Sequence, residues 1–465
     1  MEKIKQNPLG TADVKGLIIK FSIPTIISFL INSIYNIVDQ IFIGRGVGLN
    51  GIAATNIAFP LVIICTAIAL LLGIGSASNI SLNLGAGNKE RAEKIAGTGI
   101  ILMIIFGIAL AVISLIFLDP LLKMFGATDD LMDNARIYTR IIAIGLPFQL
   151  LSTGLCQLIR VDGSPAYSMI CMIAGAVINT ILDPIFIFIF NMGIAGAALA
   201  TIISQFVSTI LAIIYIAKGF KHLSVKKEMY RINGEFTKII FALGMSSFFN
   251  QIAMTVVQIV MNNSLKYYGE LSIYGSEIPI ASVGAMSKIN MLFIGFTIGI
   301  AQGCQPINGY NYGAKNYSRV KETLKYALIS ATIISILAFL GFQLFTRQII
   351  SVFGEGTELY IEFSEAYLRI FMFLTFLNGI QPVTANYFTA TGRAKIGMFI
   401  SLTRQIIFLL PLLLILPIFF GIDGILYSGP IGDFITAVMT WFFVIKEFKK
   451  LDKLENEKNI GIITE

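Results

Sequence analysis

Long apolar runs follow one another from residue 17 to residue 445, broken only by short polar segments. They restrict the fold more than any motif does, because roughly 20 consecutive apolar residues cross the hydrocarbon of a bilayer as one helix. Inside lipid every backbone N–H and C=O needs a partner within the protein, so a series of such runs folds as helices. Spans are expected near 17–43, 52–82, 95–118, 136–159, 166–190 and 194–217. A second set is expected near 238–265, 279–310, 322–345, 363–390, 396–420 and 423–445. Charged residues make up 13% of the 465 positions, about half of the ~25% usual in a soluble domain. The segments left between the runs are too short for a sizeable soluble domain.

The two sets of runs are copies of each other. Asn83-Leu84-Gly85-Ala86-Gly87-Asn88 closes the second run, and Asn311-Tyr312-Gly313-Ala314-Lys315-Asn316 closes the eighth, 228 positions later. Gly75 and Gly303, Arg91 and Arg319, Ile52-Ala53 and Ile280-Ala281, and Gly196 and Gly424 keep that offset, while Gly163 and Gly392 differ by 229. The first spans align better at about 220, which implies a longer loop near Glu270 to Ile278. Six spans is an even number, so both copies enter the bilayer in the same direction, as parallel repeats. The expected organisation is a six-helix bundle over 1–217, a cytoplasmic linker over 218–237, a second bundle over 238–446 and a cytoplasmic tail over 447–465.

Basic residues fix the orientation, because cytoplasmic loops of membrane proteins carry the excess of Lys and Arg. With the N-terminus inside, 25 Lys and Arg fall on the cytoplasmic face and 6 on the outer face. Both termini are therefore expected in the cytoplasm, and the net charge of +7 reflects topology rather than nucleic-acid binding. The first apolar run is long and lacks a cleavage pattern, so a cleaved signal is not expected. Cys65, Cys156, Cys171 and Cys304 lie inside apolar runs and read as small buried hydrophobes, and His222 is the single histidine. No thiol or imidazole cluster is available for a catalytic metal.

Ionisable side chains inside spans are costly and mark function by default. Here they are Asp39, Asp183, Lys288, Glu365, Arg369, Arg404 and Asp433. Asn32, Tyr35, Asn36 and Asp39 recur at spacings of three and four, so they share one helical face, as do Asn179 and Asp183. Thr201, Ser204, Gln205 and Ser208 form a third polar stripe. Counted from the outer ends of their spans, Asp39, Asp183 and Thr201 all lie about 6 to 11 Å deep at about 1.5 Å per residue. Three helices that place polar groups at one depth suit a shared cavity. Pro184 cannot donate to the carbonyl of Thr180, which leaves that oxygen free nearby. A carboxylate there suits proton uptake and release, and the set of oxygens suits a hard monovalent cation such as Na+; the residues do not choose between the two. Lys288, Arg404 and Asp433 stand where the first copy has Pro60, Ala176 and Gln205, so they are expected to serve substrate handling or packing rather than the coupling ion. Glu365 and Arg369, four apart, are expected to pair locally.

These residues resemble the multidrug and toxic compound extrusion (MATE) transporters, in particular the bacterial MepA-like and DinF-like branch. The resemblance covers about residues 10–450 and rests on Ile23-Pro24, Asp39 to Gly44, Asn179 to Pro184, the two Gly-Ala turns, Ala301 to Pro306, and Thr403-Arg404-Gln405. It implies two six-helix bundles in a V and antiport of amphipathic, often cationic, organic compounds against H+ or Na+, with no cofactor. The branch's polar cluster corresponds to Tyr35, Asp39, Asn179, Asp183 and Thr201. Asn32, Asn36, Gln205, Lys288, Arg404 and Asp433 are candidates for the substrate cavity. The runner-up is a lipid-linked oligosaccharide flippase of the same superfamily. An enzyme is opposed by the lack of a nucleophile-base pair, and an ATP-driven pump by the lack of a GxxxxGK[ST] loop. Expected partners are small organic solutes and membrane lipid, not nucleic acid, for a monomer in the plasma membrane.

Overall fold

Each apolar run becomes a helix, and the polar breaks become its ends. The structure is a computed structural model and describes residues 7–352 and 357–461, among which no strand occurs. Eleven helices are long and apolar enough to cross a bilayer. Among the described residues these eleven become twelve when the pair Glu358–Phe371 and Thr375–Ala390, bent by 41° at their junction, is counted as one broken span, numbered here as the tenth. The chain is a multi-pass, all-α membrane protein.

The repeat read in the sequence recurs in the backbone. The second span, Leu49–Gly85, and the eighth, Glu277–Gly313, have 37 residues each, and the third, Lys89–Ile116, and ninth, Tyr317–Leu344, have 28 each. All four boundaries repeat at 228 residues. Between the second and third spans Gly87 takes a left-handed φ of 77°, and Lys315 takes 55° at the corresponding turn. The copy kept the turn even where a side chain replaced glycine, which accepts some strain there. The first span, Val14–Gly46, has 33 residues and the seventh, Gly234–Glu270, has 37. That longer helix and a longer following loop, 271–276 against 47–48, account for the smaller offset of the first spans.

The chain divides into two compact units whose limits do not follow the repeat. One contains Ile23–Phe248 with the segment ending at Thr11, and the other contains Ala12–Ser22 with the segment beginning at Phe249. Both divisions fall inside helices, at Ile23-Pro24 in the first span and at Phe248-Phe249 in the seventh. Repeated glycines make room for the two transferred helix starts. In the first unit a Cβ on Gly75 would lie 2.1 Å from the Ile240 carbonyl oxygen; in the second a Cβ on Gly303 would lie 2.6 Å from the Ser22 Cα. Each is a close backbone approach that only glycine permits.

The linker is pinned to the first unit. The buried Asp162 carboxylate accepts the Tyr215 hydroxyl at 2.7 Å and the backbone N–H groups of Lys221 and His222 at 2.5 and 2.8 Å. Burial pushes the Asp162 carboxyl above the usual carboxylate range, against the pull of those donors. Glu93 accepts the Ser224 N–H at 2.8 Å, and Phe220 and Leu223 are buried beneath. In the second unit the turn after the tenth span instead carries Arg393, clasped by Glu447 of the twelfth span, Ile422–Asn459.

Candidate cation-coupling site

In the first unit three helices deliver the acids. Asp39 comes from the first span, Asn179 and Asp183 from the fifth, Pro165–Ile189, and Thr201 from the sixth, Gly193–Ala217. Asp39 is 8% exposed, Asn179 1% and Asp183 0%, so all three are withdrawn from lipid and bulk water. The Asn179 Nδ2 donates to Asp183 Oδ1 at 3.3 Å and lies 3.5 Å from the Thr201 hydroxyl. The carboxyl groups of Asp39 and Asp183 face each other within hydrogen-bonding reach. Asp39 Oδ1, Asp183 Oδ2 and Asn179 Oδ1 are buried oxygens with no partner among the described residues. Buried oxygens without donors are rare, because each forfeits its hydration for nothing. Two facing carboxylates in low dielectric repel strongly when both are charged, so the arrangement calls for one proton or one cation between them.

Local backbone explains how the acids meet. After Pro184 the fifth span winds as a π-helix over Ile185–Ile189, with the Phe190 N–H donating to the Ile185 carbonyl at 2.9 Å. π-turns inside α-helices recur at functional positions, and this one follows directly on Asp183. It turns Ile187 inward, where Ile43 and Ala197 pack around it. A Cβ on Gly46 would lie 2.1 Å from Ile187 Cγ2, so that glycine admits the fifth span against the first. Gly175 does the same for the sixth span, its absent Cβ standing 2.2 Å from the Ser208 hydroxyl oxygen.

Tyr35 is half-buried, within electrostatic reach of both acids and close to the side chains of Asn32 and Asn36. Asn36 is exposed and donates back to the Asn32 carbonyl oxygen at 2.6 Å. Gln205 lies against Gly145 of the fourth span, and among the described residues no side-chain hydrogen bond joins it to the acids. Three participants carried no signal in the sequence. Tyr138, on the fourth span Asp129–Val161, is 7% exposed and within electrostatic reach of Asp39, Tyr35 and Asp183. Gln40 donates to Asp39 Oδ2 at 3.3 Å and accepts the Thr55 hydroxyl at 3.3 Å, which extends the network to the second span.

The second unit has a different cluster. Arg404 Nε donates to Asp433 Oδ1 at 2.6 Å, and Asn378 Nδ2 donates to Asp433 Oδ2 at 2.9 Å. Arg404 sits on a π-helical stretch, Thr403–Leu409, inside the eleventh span. Lys288 is exposed and forms no ion pair among the described residues. The expected Glu365–Arg369 pair does not form. Glu365 binds Arg347 at 2.5 Å instead. The helix changes to a π-turn over Tyr367–Phe371, which slips the phase on which a spacing of four depends. Among the described residues no group of three or more His, Cys, Asp and Glu could hold a metal ion, and the four cysteines are buried and free.

Among the described residues an all-helical, multi-pass scaffold thus buries a carboxylate pair with oxygens that lack partners, and ionisable groups inside membrane spans mark function by default. The chain belongs to the MatE family, whose model matches residues 24–185 and 246–415. The multidrug export protein MepA of Staphylococcus aureus (strain MSSA476) is 28% identical over 424 residues, covering 91% of this chain and 92% of the relative. MepA of Staphylococcus haemolyticus (strain JCSC1435) matches with the same identity and coverage. Among solved structures, an outward-facing multidrug resistance MATE family transporter of the MOP superfamily has a TM-score of 0.89 at 24% identity, over 96% of this chain and 98% of that one. A MOP superfamily transporter from Pyrococcus furiosus Vc1 (DSM3638) has a TM-score of 0.88 at 24% identity, with the same coverage. These two likenesses show the fold.

Proposed function

We propose that this chain is a secondary active multidrug efflux antiporter, exporting amphipathic, often cationic, organic compounds in exchange for H+ or Na+. The observation that carries the reading is the facing pair Asp39 and Asp183, with three buried oxygens left without a partner. A proton or a cation at that pair removes the repulsion, and its departure restores it. Binding and release therefore bias how the first, fifth and sixth spans pack, which is the differential affinity an ion needs in order to drive a conformational equilibrium. Asn179 and Thr201 supply further oxygen ligands, and Tyr35 closes the set toward Asn32. The test is uptake of a fluorescent cationic drug into proteoliposomes, with proton and sodium gradients imposed separately. Export driven by one gradient is the expected result; uptake indifferent to both ends the antiport reading.

The proposal places the protein in the plasma membrane as a monomer among lipid, with both termini cytoplasmic. The 25 to 6 distribution of basic residues supports that orientation of the termini. Reporter domains fused after Lys226 and after Glu457 are expected to be active only where the reporter works in the cytoplasm. An extracellular reporter at either site reverses the orientation.

A further inference from the structure

The guanidinium of Arg404 is held on one side only. Its Nε is fixed by Asp433, whereas Nη1 and Nη2 donate to no acceptor among the described residues and remain accessible, the side chain being 18% exposed. Asp433 is 3% exposed and spends both oxygens on Arg404 and Asn378. Tyr367, 2% exposed, lies within electrostatic reach of the pair and close to the Ser287 side chain. Residues of the eighth, tenth, eleventh and twelfth spans thus converge around Arg404, inside the second unit.

Three observations point to a role for this cluster beyond holding the scaffold. At the 228 offset Asn378, Arg404 and Asp433 become Leu150, Ala176 and Gln205, so the first unit keeps the same helices without it. An arginine whose Nη donors lack acceptors is costly at membrane depth and persists there mainly for function. The backbone around it is irregular twice, at the π-stretch Thr403–Leu409 and at the 41° break in the tenth span. Non-helical backbone at that depth is tolerated where it is buried in protein or lines a water-filled space. Lys288 follows Ser287 in the chain, is exposed and lacks an ion pair among the described residues, so Lys288, Arg404 and Asp433 together carry a net positive charge.

We propose that the Nη edge of Arg404 is an anion subsite that takes the carboxylate or phosphate group of an amphipathic ligand. The inference rests on the export reading and narrows its substrates to compounds with an oxyanion as well as an apolar body. Guanidinium suits this because its planar fork meets two oxygens at once, and Asp433 on Nε fixes its orientation beforehand.

The probes are rhodamine 110, which carries a free carboxylate, and rhodamine 123, its methyl ester. Binding to the purified full chain in maltoside micelles is read by fluorescence polarisation. The native chain is expected to favour the acid about tenfold, ~1.4 kcal/mol. Arg404→Gln should bring that ratio close to one, and Arg404→Lys, which keeps the charge but not the fork, should retain part of it. A ratio unchanged in both variants, or an absent preference in the native chain, overturns the proposal. If Arg404→Gln does not fold, judged by its melting curve, Arg404→Lys carries the test alone. Added phosphatidylglycerol that displaces rhodamine 110 from the native chain identifies a lipid headgroup as the source of the anion, whereas indifference to it identifies a free solute. Gradient-driven export of the ester by the native chain is measured separately, so failure of the subsite and failure of the antiport reading give different results.

Discussion

Asp183→Asn is expected to abolish gradient-driven export while leaving the chain folded. The side chain keeps its shape, and the Asn179 amide that donates to Oδ1 at 3.3 Å still finds an oxygen there. The new amide can donate to Asp39, so the pair is held at a single negative charge, as if one proton had never left. A site that cannot lose its neutralising ion cannot exchange it, and export should fall at least about tenfold, ~1.4 kcal/mol in the coupling step. Asp39→Asn should do the same, since its Oδ1 is also without a partner. Drug accumulation in everted vesicles at matched protein levels checks both, with imposed proton and sodium gradients. Either variant responding to the gradients as the native chain does would remove that acid from the coupling site.

The largest stability effect is expected at Glu447. Its carboxylate accepts both Nη groups of Arg393 at 2.5 Å and the Tyr387 hydroxyl at 2.8 Å, and it is 3% exposed. Arg393 in turn lies 4.8 Å from the Phe388 ring centroid and 5.4 Å from that of Tyr312. Glu447→Ala leaves the largely buried guanidinium without a counter-charge among aromatic rings, with only the Tyr387 and Thr391 hydroxyls to accept from it, a loss of about 3 kcal/mol. Melting of the detergent-solubilised chain should drop sharply, and adding Arg393→Met should restore much of it, because an apolar pair of similar volume does not need the charge. Arg347→Ala is the control. Arg347 is 79% exposed opposite Glu365, and its loss should leave melting nearly unchanged. Equal drops for Glu447→Ala and Arg347→Ala would show that burial does not decide the cost.

What the sequence made legible follows from solvent. Hydropathy reports the lipid environment directly, so the spans and the 228-residue copy could be read residue by residue. The carboxylates of the first and fifth spans were also legible, because a charge in lipid is conspicuous wherever it falls. Tyr138, Gln40 and Thr55 were not, since nothing in a tyrosine, a glutamine or a threonine announces which neighbouring helix it will meet. Nor does the sequence reveal that Asn378 clamps Asp433, since an asparagine in a span carries no mark of its partner. Arg347 escaped notice as the partner of Glu365 because the spacing rule assumes an uninterrupted α-helix, and Tyr367–Phe371 is not one.

The lending of helix starts has a bearing on how the chain is made. Residues 12–22 are counted with a unit whose other members begin at Phe249, and the first unit is complete only when synthesis has passed residue 248. The order of translation therefore differs from the order of assembly. The N-terminal segment leaves the ribosome first but must wait, threaded into the membrane, until Gly303 arrives to receive Ser22. A ribosome stalled after residue 217 would leave a nascent chain with six inserted helices, one still awaiting its permanent neighbours, and quality-control proteases should recognise it as unfinished.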